Sequence, residues 1–464
     1  MKRGCLYILT IAIGFLALSS CQKDRYTDSP TDKITYSTDT LSFDTIFSSV
    51  GTSMRKIMLY NKHKKKIAID RISIDKKSKF QIAIDGFSGQ ELNNIDFRAK
   101  DSLYIHVQVK IDPQNSNSPV LVHDSIAIAY NNRTDFIHLI AYGQDVFLIK
   151  NGNHIISQDS VLSNEKPYLI YDSLVVKKGA KLTIKEGSRF YFHNNAQLKI
   201  NGQLMANGTL EHPIVMSGDR FDELFTNMSY DKLSAQWDGI YFGTESEENE
   251  LHYTHIRNGI YTICIDSVRN NTSKHLTIKN CQIHNASQCC LYAVDATIEV
   301  GNSEITNGRN YCIFLVGGDA QFTQCTIANY YYEPHSSTSQ SATMKSLYLN
   351  NLFLGKDIPV RNATFTNCIL YGSNSEMLNT HDREVNFTNC FVKTKSAISN
   401  SNHVNEDPKF IIPYNDDHIF DFRISDQSPC IDQGIESTLT EYPTDIMGVV
   451  RQNKPDVGAH EFQP

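Results

Sequence analysis

The chain has 464 residues, 40% apolar and 20% charged, with 24 Gly and 13 Pro. This balance excludes a disordered, collagenous or many-spanning membrane chain and implies two or three folding units. One Trp beside 23 Tyr and 23 Phe favours strand over helix, and a formal charge of −7 without a large basic block excludes nucleic acid as a partner.

Lys2 and Arg3 precede an apolar run from Leu6 to Leu18, too short for a comfortable membrane span and right for a signal-peptide core. Residues 1–20 are therefore expected to be removed. The run ends Leu18-Ser19-Ser20-Cys21, which resembles the bacterial lipobox. That resemblance implies an acylated Cys21 at the mature N-terminus, holding the body to the outer membrane through a lipid anchor of more than one chain. Gln22-Lys23-Asp24 resembles the export tag of surface-exposed Bacteroidota lipoproteins, with Arg25 interrupting its acidic run. Residues 21–33 read as a lipidated tether.

From residue 34 to 148 short runs alternate apolar and polar positions. Ile105, Val107, Val109 and Ile111 share one face, and Tyr104, His106, Gln108 and Lys110 share the other. Comparable runs near 41–47, 54–60, 67–74, 80–84, 125–130 and 136–142 predict an antiparallel β-sandwich. The order of its strand and turn signals resembles Ig-like modules, which implies a stand-off role.

Beyond residue 150 the strands shorten, and each closes on Gly or Asn-Gly, as in Leu182-Thr-Ile-Lys-Glu-Gly187 and Leu198-Lys-Ile-Asn-Gly202. An internal repeat follows. Cys281, Ser303, Cys325, Cys368 and Cys390 stand at intervals of 22, 22, 43 and 22 residues, preceded by Asn280, Asn302, Gln324, Asn367 and Asn389. Apolar residues fall at −5, −3, 0 and +2 from the repeat position, a period of two broken by one slip of three. The slip marks a left-handed bend at Asn, so each repeat should give two strands and a corner. The 43-residue interval reads as almost two turns, with residues 329–359 forming a degenerate rung that carries a loop. Such repeats bury their inward faces only by stacking, in about 11 rungs over residues 155–410. The pattern resembles right-handed parallel β-helix proteins, and the fold class is all-β.

Residues 411–464 are expected to cap the coil. Ser428-Pro429-Cys-Ile-Asp432-Gln-Gly434, Asp445-Ile-Met-Gly448, Arg451 and Asp456-Val-Gly-Ala-His-Glu461 resemble the C-terminal block of the choice-of-anchor Q group of bacterial β-helix proteins.

The residues that could carry function are few. Stacked Cys281, Cys325, Cys368 and Cys390 read as buried free thiols filling the core, and the Asn column as an internal amide ladder. Tyr330, Tyr331 and Tyr332, with Glu333 and His335, are the candidate ligand contact, because aromatic faces stack on sugar rings and a protruding loop is where contact residues gather. Asp432, Asp445, Asp456 and Glu461 with Arg451 read as an ion-pair lid. No cofactor is expected, and calcium is the ion those carboxylates would suit. Six positions before the repeat residue stand His275, Thr297, Asp319, Asn362 and Glu384, which is no carboxylate cluster on neighbouring turns, so no catalytic set is assigned. The expected role is non-catalytic binding of extracellular glycan or a surface protein. A polysaccharide lyase or glycoside hydrolase and a structural spacer are the alternatives.

Overall fold

A computed structural model describes residues 25–464 apart from 28, 49, 51–53, 85, 226–227, 267–272, 333–342, 382, 400 and 415–418. The signal segment, Cys21, Glu333 and His335 lie outside the described residues. The chain divides into two compact units, Met1–Asp145 and Val146–Pro464.

The first unit is two β-sheets around one apolar cluster. Lys66–Ser73, Val120–Tyr130 and Arg133–Gln144 pair antiparallel in one sheet, and Arg55–Tyr60, Ser102–Val109 and Phe80–Ile84 in the other. Alternation sets the faces: Ile105, Val107 and Val109 are fully buried while Tyr104 stays exposed. The expected antiparallel order fails at one edge, where Thr40–Phe47 runs parallel to Arg133–Gln144, and part of the expected tether, Tyr26–Thr27, instead adds an edge strand parallel to Lys66–Ser73. The run at 41–47 shows period-two alternation, which fixes a strand's faces and leaves its direction open.

The second unit winds through three parallel sheets in strict rotation, of 11, 9 and 9 strands. One full turn is Gln282–Ala286 in the first sheet, Cys289–Val294 in the second and Thr297–Gly301 in the third. Three strands per turn correct the expected two; the extra one belongs to the second sheet. Coiling begins at Phe147–Ile149 and ends at His403–Val404, a parallel β-helix by connectivity. The −5 and −3 residues line the interior of the third sheet and the +2 residues that of the first: Leu276, Ile278 and Ile283 are buried in one continuous core with Ile298, Val300 and Ile305. Residues 325 and 368 occupy adjacent turns, since Thr326 pairs with Ile369. The long interval is thus one enlarged turn rather than almost two. It includes the strand Lys345–Asn350 and a hairpin of Leu352–Phe353 with Lys356–Asp357.

The corner residues explain the repeat. Asn280, Asn302, Gln324, Asn367 and Asn389 have φ of 57°, 47°, 54°, 52° and 55°, the left-handed region in which a short amide side chain is tolerated. The following side chain closes the bend. Cys325 Sγ donates to Thr323 O and Cys368 Sγ to Thr366 O, both at 3.3 Å, and Ser303 Oγ donates to Gly301 O at 2.7 Å. These thiols therefore do more than fill core: a small donor is needed at each corner, and Ser serves as Cys does. Burial pushes the Cys281 and Cys312 thiols up to about 12. All nine described cysteines are free, and only Cys264 is not buried. Native protein at pH 8 is accordingly expected to react with a thiol reagent at Cys264 at most, the others labelling only in denaturant; prompt labelling of Cys281 or Cys325 would contradict the corner geometry.

The end of the coil is covered by residues 393–399 and 401–405, where Ile398 packs on the core and Asn402 accepts from Cys390 N at 2.9 Å while donating to Phe387 O at 2.9 Å. The C-terminal segment lies elsewhere than the expected lid. It runs along the corner and the outer face of the first sheet, with Ala459 N donating to Thr326 Oγ1 at 3.0 Å and Phe422, Ile424 and Val457 packed on Ile369 and Phe391.

Candidate functional site

The amide column faces outward and grips this segment. Asn302 donates to Asn280 Oδ1 at 2.7 Å and to Thr444 O at 3.1 Å, and Asn367 accepts from Ile435 N at 2.9 Å. Gln324 donates to Asp456 O and Gly458 O at 3.1 Å, and Asn389 donates to Gln433 O. Two amide-to-amide bonds of the expected internal ladder are present, Asn302 to Asn280 and Asn367 to the Gln324 oxygen at 3.1 Å, and the amides serve as docking groups as well.

Two of the segment's carboxylates, Asp445 and Asp456, are consumed by its own backbone. Asp445 Oδ1 accepts from Met447 N and Val449 N at 2.8 Å, and its Oδ2 from Glu461 N at 2.9 Å. Asp456 accepts from Asp432 N at 2.8 Å and from Phe462 N at 2.6 Å. Arg451, wholly buried, meets Glu461 at 2.9 Å. Among the described residues no group of three His, Cys, Asp or Glu side chains is placed to hold a metal.

The tyrosine run packs inward. Tyr330 lies against Phe410 and Phe422, with ring centres at 6.4 and 6.1 Å, and Tyr331 is 9% exposed with its hydroxyl 2.9 Å from Ser234 Oγ. Tyr332 packs edge-on against Tyr414 at 5.4 Å. A contiguous aromatic triplet reads alike whether it projects or folds back, and its partners lie 80 to 97 residues away in sequence.

An aromatic surface does exist, on the outer face of the second sheet. Parallel register stacks Tyr241, Cys264, Tyr292, Phe314 and Tyr348 in one column and Tyr261, Cys289 and Tyr311 beside it. Like positions on successive rungs stand about 4.8 Å apart, so rings at those positions touch. Tyr261–Tyr292, Tyr292–Phe314 and Phe314–Tyr348 have centres at 5.7, 5.0 and 4.6 Å, and Tyr311 lies 4.7 Å from Tyr348. Neighbouring rings in the column meet near edge to face, at 76° and 69°. Tyr261 is 40% exposed, and the other rings of this face are half-buried. Polar groups frame the stripe: Lys199 Nζ lies 5.4 Å from the centre of the Tyr241 ring, and His381 Nε2 is 2.8 Å from Tyr348 Oη. The 22-residue spacing from Tyr292 to Phe314 was the available sequence signal, hidden because Tyr348 follows after 34 residues.

No family model and no curated protein matches the chain. Among solved structures, the complex of XylC with xylose aligns with 91% of this chain and 89% of its own at 9% identity and a TM-score of 0.39. Pectate lyase Pel9A aligns with 69% of this chain and 88% of its own at 11% identity and a TM-score of 0.29. A protein of unknown function from Porphyromonas gingivalis W83 aligns with 27% of this chain, which spans 50% of that protein's length, at 11% identity and a TM-score of 0.19. None of these scores bears on activity.

Proposed function

We propose that the chain is a cell-envelope lipoprotein, acylated at Cys21, that binds extracellular glycan along the aromatic face of its second sheet without cleaving it. The observation that carries this reading is the continuous stripe of partly exposed rings from Tyr261 to Tyr348. Sugar rings present flat C–H faces, and a row of aromatic rings repeating every rung matches an extended chain better than a single small molecule. The coil is taken as right-handed, the sense that parallel crossovers adopt, and the N-terminal unit as an Ig-like spacer between lipid anchor and coil.

Mature protein on a panel of immobilised polysaccharides is expected to retain at least one of them. The double variant Tyr292→Ala with Tyr348→Ala should bind it at least about tenfold more weakly, a loss of about 1.4 kcal/mol. Release of reducing ends or unsaturated products would establish the enzyme reading instead. Undiminished binding by the double variant would remove the aromatic face from the account.

A further inference from the structure

The outer face of the first sheet holds a groove of about 590 Å³. Its floor comes from three successive turns, with register stacking His255 on Gln282 on Glu304 and Arg257 on His284 on Thr306. One wall is the turn at Asp231, and another is the C-terminal segment around Phe420, Arg423 and His460.

The charges of this groove balance, Asp231, Glu304 and Asp421 against Lys232, Arg257 and Arg423, and most are paired directly. Arg257 donates to Asp231 and Arg423 to Asp421, each at 2.6 Å, and His460 Nε2 lies 2.9 Å from Glu304 Oε2. Such pairing leaves no net field to hold an anion or a cation. The half-buried side chains of Gln282 and His284 are different: neither has a hydrogen-bond partner among the described residues. Burial pushes the His284 pKa down to about 4, with Arg257 adding like-charge repulsion, so its imidazole is neutral at pH 7. A neutral imidazole and a primary amide each offer both a donor and an acceptor. They stand two residues apart on one strand, about 6.6 Å. A phosphate would need donors alone and a metal ion acceptors alone; a hydroxyl group uses both. Ile412, Phe420 and Met447 add apolar surface to the same groove.

We propose that this groove is a binding site for the uncharged ring of a neutral sugar, whose hydroxyls bridge Gln282 and His284 while its C–H face lies on the apolar side chains. The site is separate from the aromatic face and stands whether or not that face binds glycan.

Saturation-transfer NMR on the mature chain at pH 7 with D-glucose, D-galactose, D-mannose, L-arabinose and D-galacturonate tests it, with inorganic phosphate as a competitor. At least one neutral sugar is expected to receive saturation, galacturonate to receive none and phosphate not to displace it. Gln282→Leu with His284→Leu should weaken that sugar at least about tenfold, with an unchanged thermal unfolding profile. His284→Gln, which keeps a donor and an acceptor, should retain binding, as should Tyr292→Ala with Tyr348→Ala. Absence of transfer from every neutral sugar at millimolar concentration, preference for galacturonate, displacement by phosphate, or full binding by the folded double leucine variant would each overturn the proposal.

Discussion

Arg451→Ala is expected to cost about 3–5 kcal/mol and to free the C-terminal segment from the flank of the coil. The Arg451 side chain is 0% exposed and that of its partner Glu461 7%. Its guanidinium also donates to Asn302 Oδ1 at 2.9 Å and to Gly458 O at 3.0 Å. Alanine strands a buried carboxylate and removes one of the bonds that tie the segment to the corner amides. Urea unfolding should show the loss, and limited proteolysis should cut first within residues 411–464. A wild-type midpoint and cleavage pattern would show that the clasp contributes nothing. The effect has a pH sign. Burial raises the Glu461 carboxyl above its ordinary value, with Arg451 holding that shift in check. A raised folded pKa gives stability that is present below the unfolded value and lost as pH rises through the folded one. Without Arg451 the folded pKa climbs further, so the variant should lose more stability at pH 8 than at pH 5.

Phe365→Ala is expected to cost about 3–5 kcal/mol, concentrated in the last turns of the coil. Phe365 is fully buried between Phe322 and Phe387, with ring centres at 4.6 and 5.3 Å. Its removal opens a cavity that neighbouring turns, fixed by their own backbone ladders, cannot close. Because each turn contacts chiefly its neighbours, the damage should stay local. Hydrogen exchange should rise in the strands Gly318–Thr323, Val360–Thr366 and Asn386–Thr388, while Lys181–Lys185 keeps its protection. A uniform rise across the coil would show that it opens as one cooperative block.

Much of the fold was legible because two of its three sheets flank the Asn corner, where the period slips from two to three. The strands at −5, −3 and +2 stand at fixed distances from that corner. The second sheet was invisible in the same alignment. Its inward residues Leu291, Ile313 and Leu347 follow at 22 and then 34 residues, since chain is inserted between the first and second sheets of the enlarged turn. Interval length alone could not separate one enlarged turn from two ordinary ones. In the first unit the strand Glu91–Phe97 escaped notice because Glu-Leu-Asn-Asn-Ile-Asp-Phe places apolar residues at a spacing of three and then two, and only Phe97 is buried. The candidate site was legible in kind and misplaced in position. Aromatic stacking pointed to consecutive tyrosines, whereas in a coil the rings that gather on one face come from different turns. The groove on the first sheet gave no signal at all, since its floor and walls are drawn from residues 231 to 460 and meet only when the C-terminal segment folds back.

That fold-back makes the tail a ruler for the coil. Its contacts fall on the amides of residues 280, 302, 324, 367 and 389, either directly or through the next amide in the column. Adding or deleting one turn between Asn280 and Asn389 would put the column out of step with the groups that read it. Among the described residues, the turns before Leu210, which lies against Gly448, carry no such check on their number. Length variation among chains built to this plan should therefore accumulate near the amino-terminal end of the coil, and during synthesis the tail can fasten only after the last of the five corners has formed.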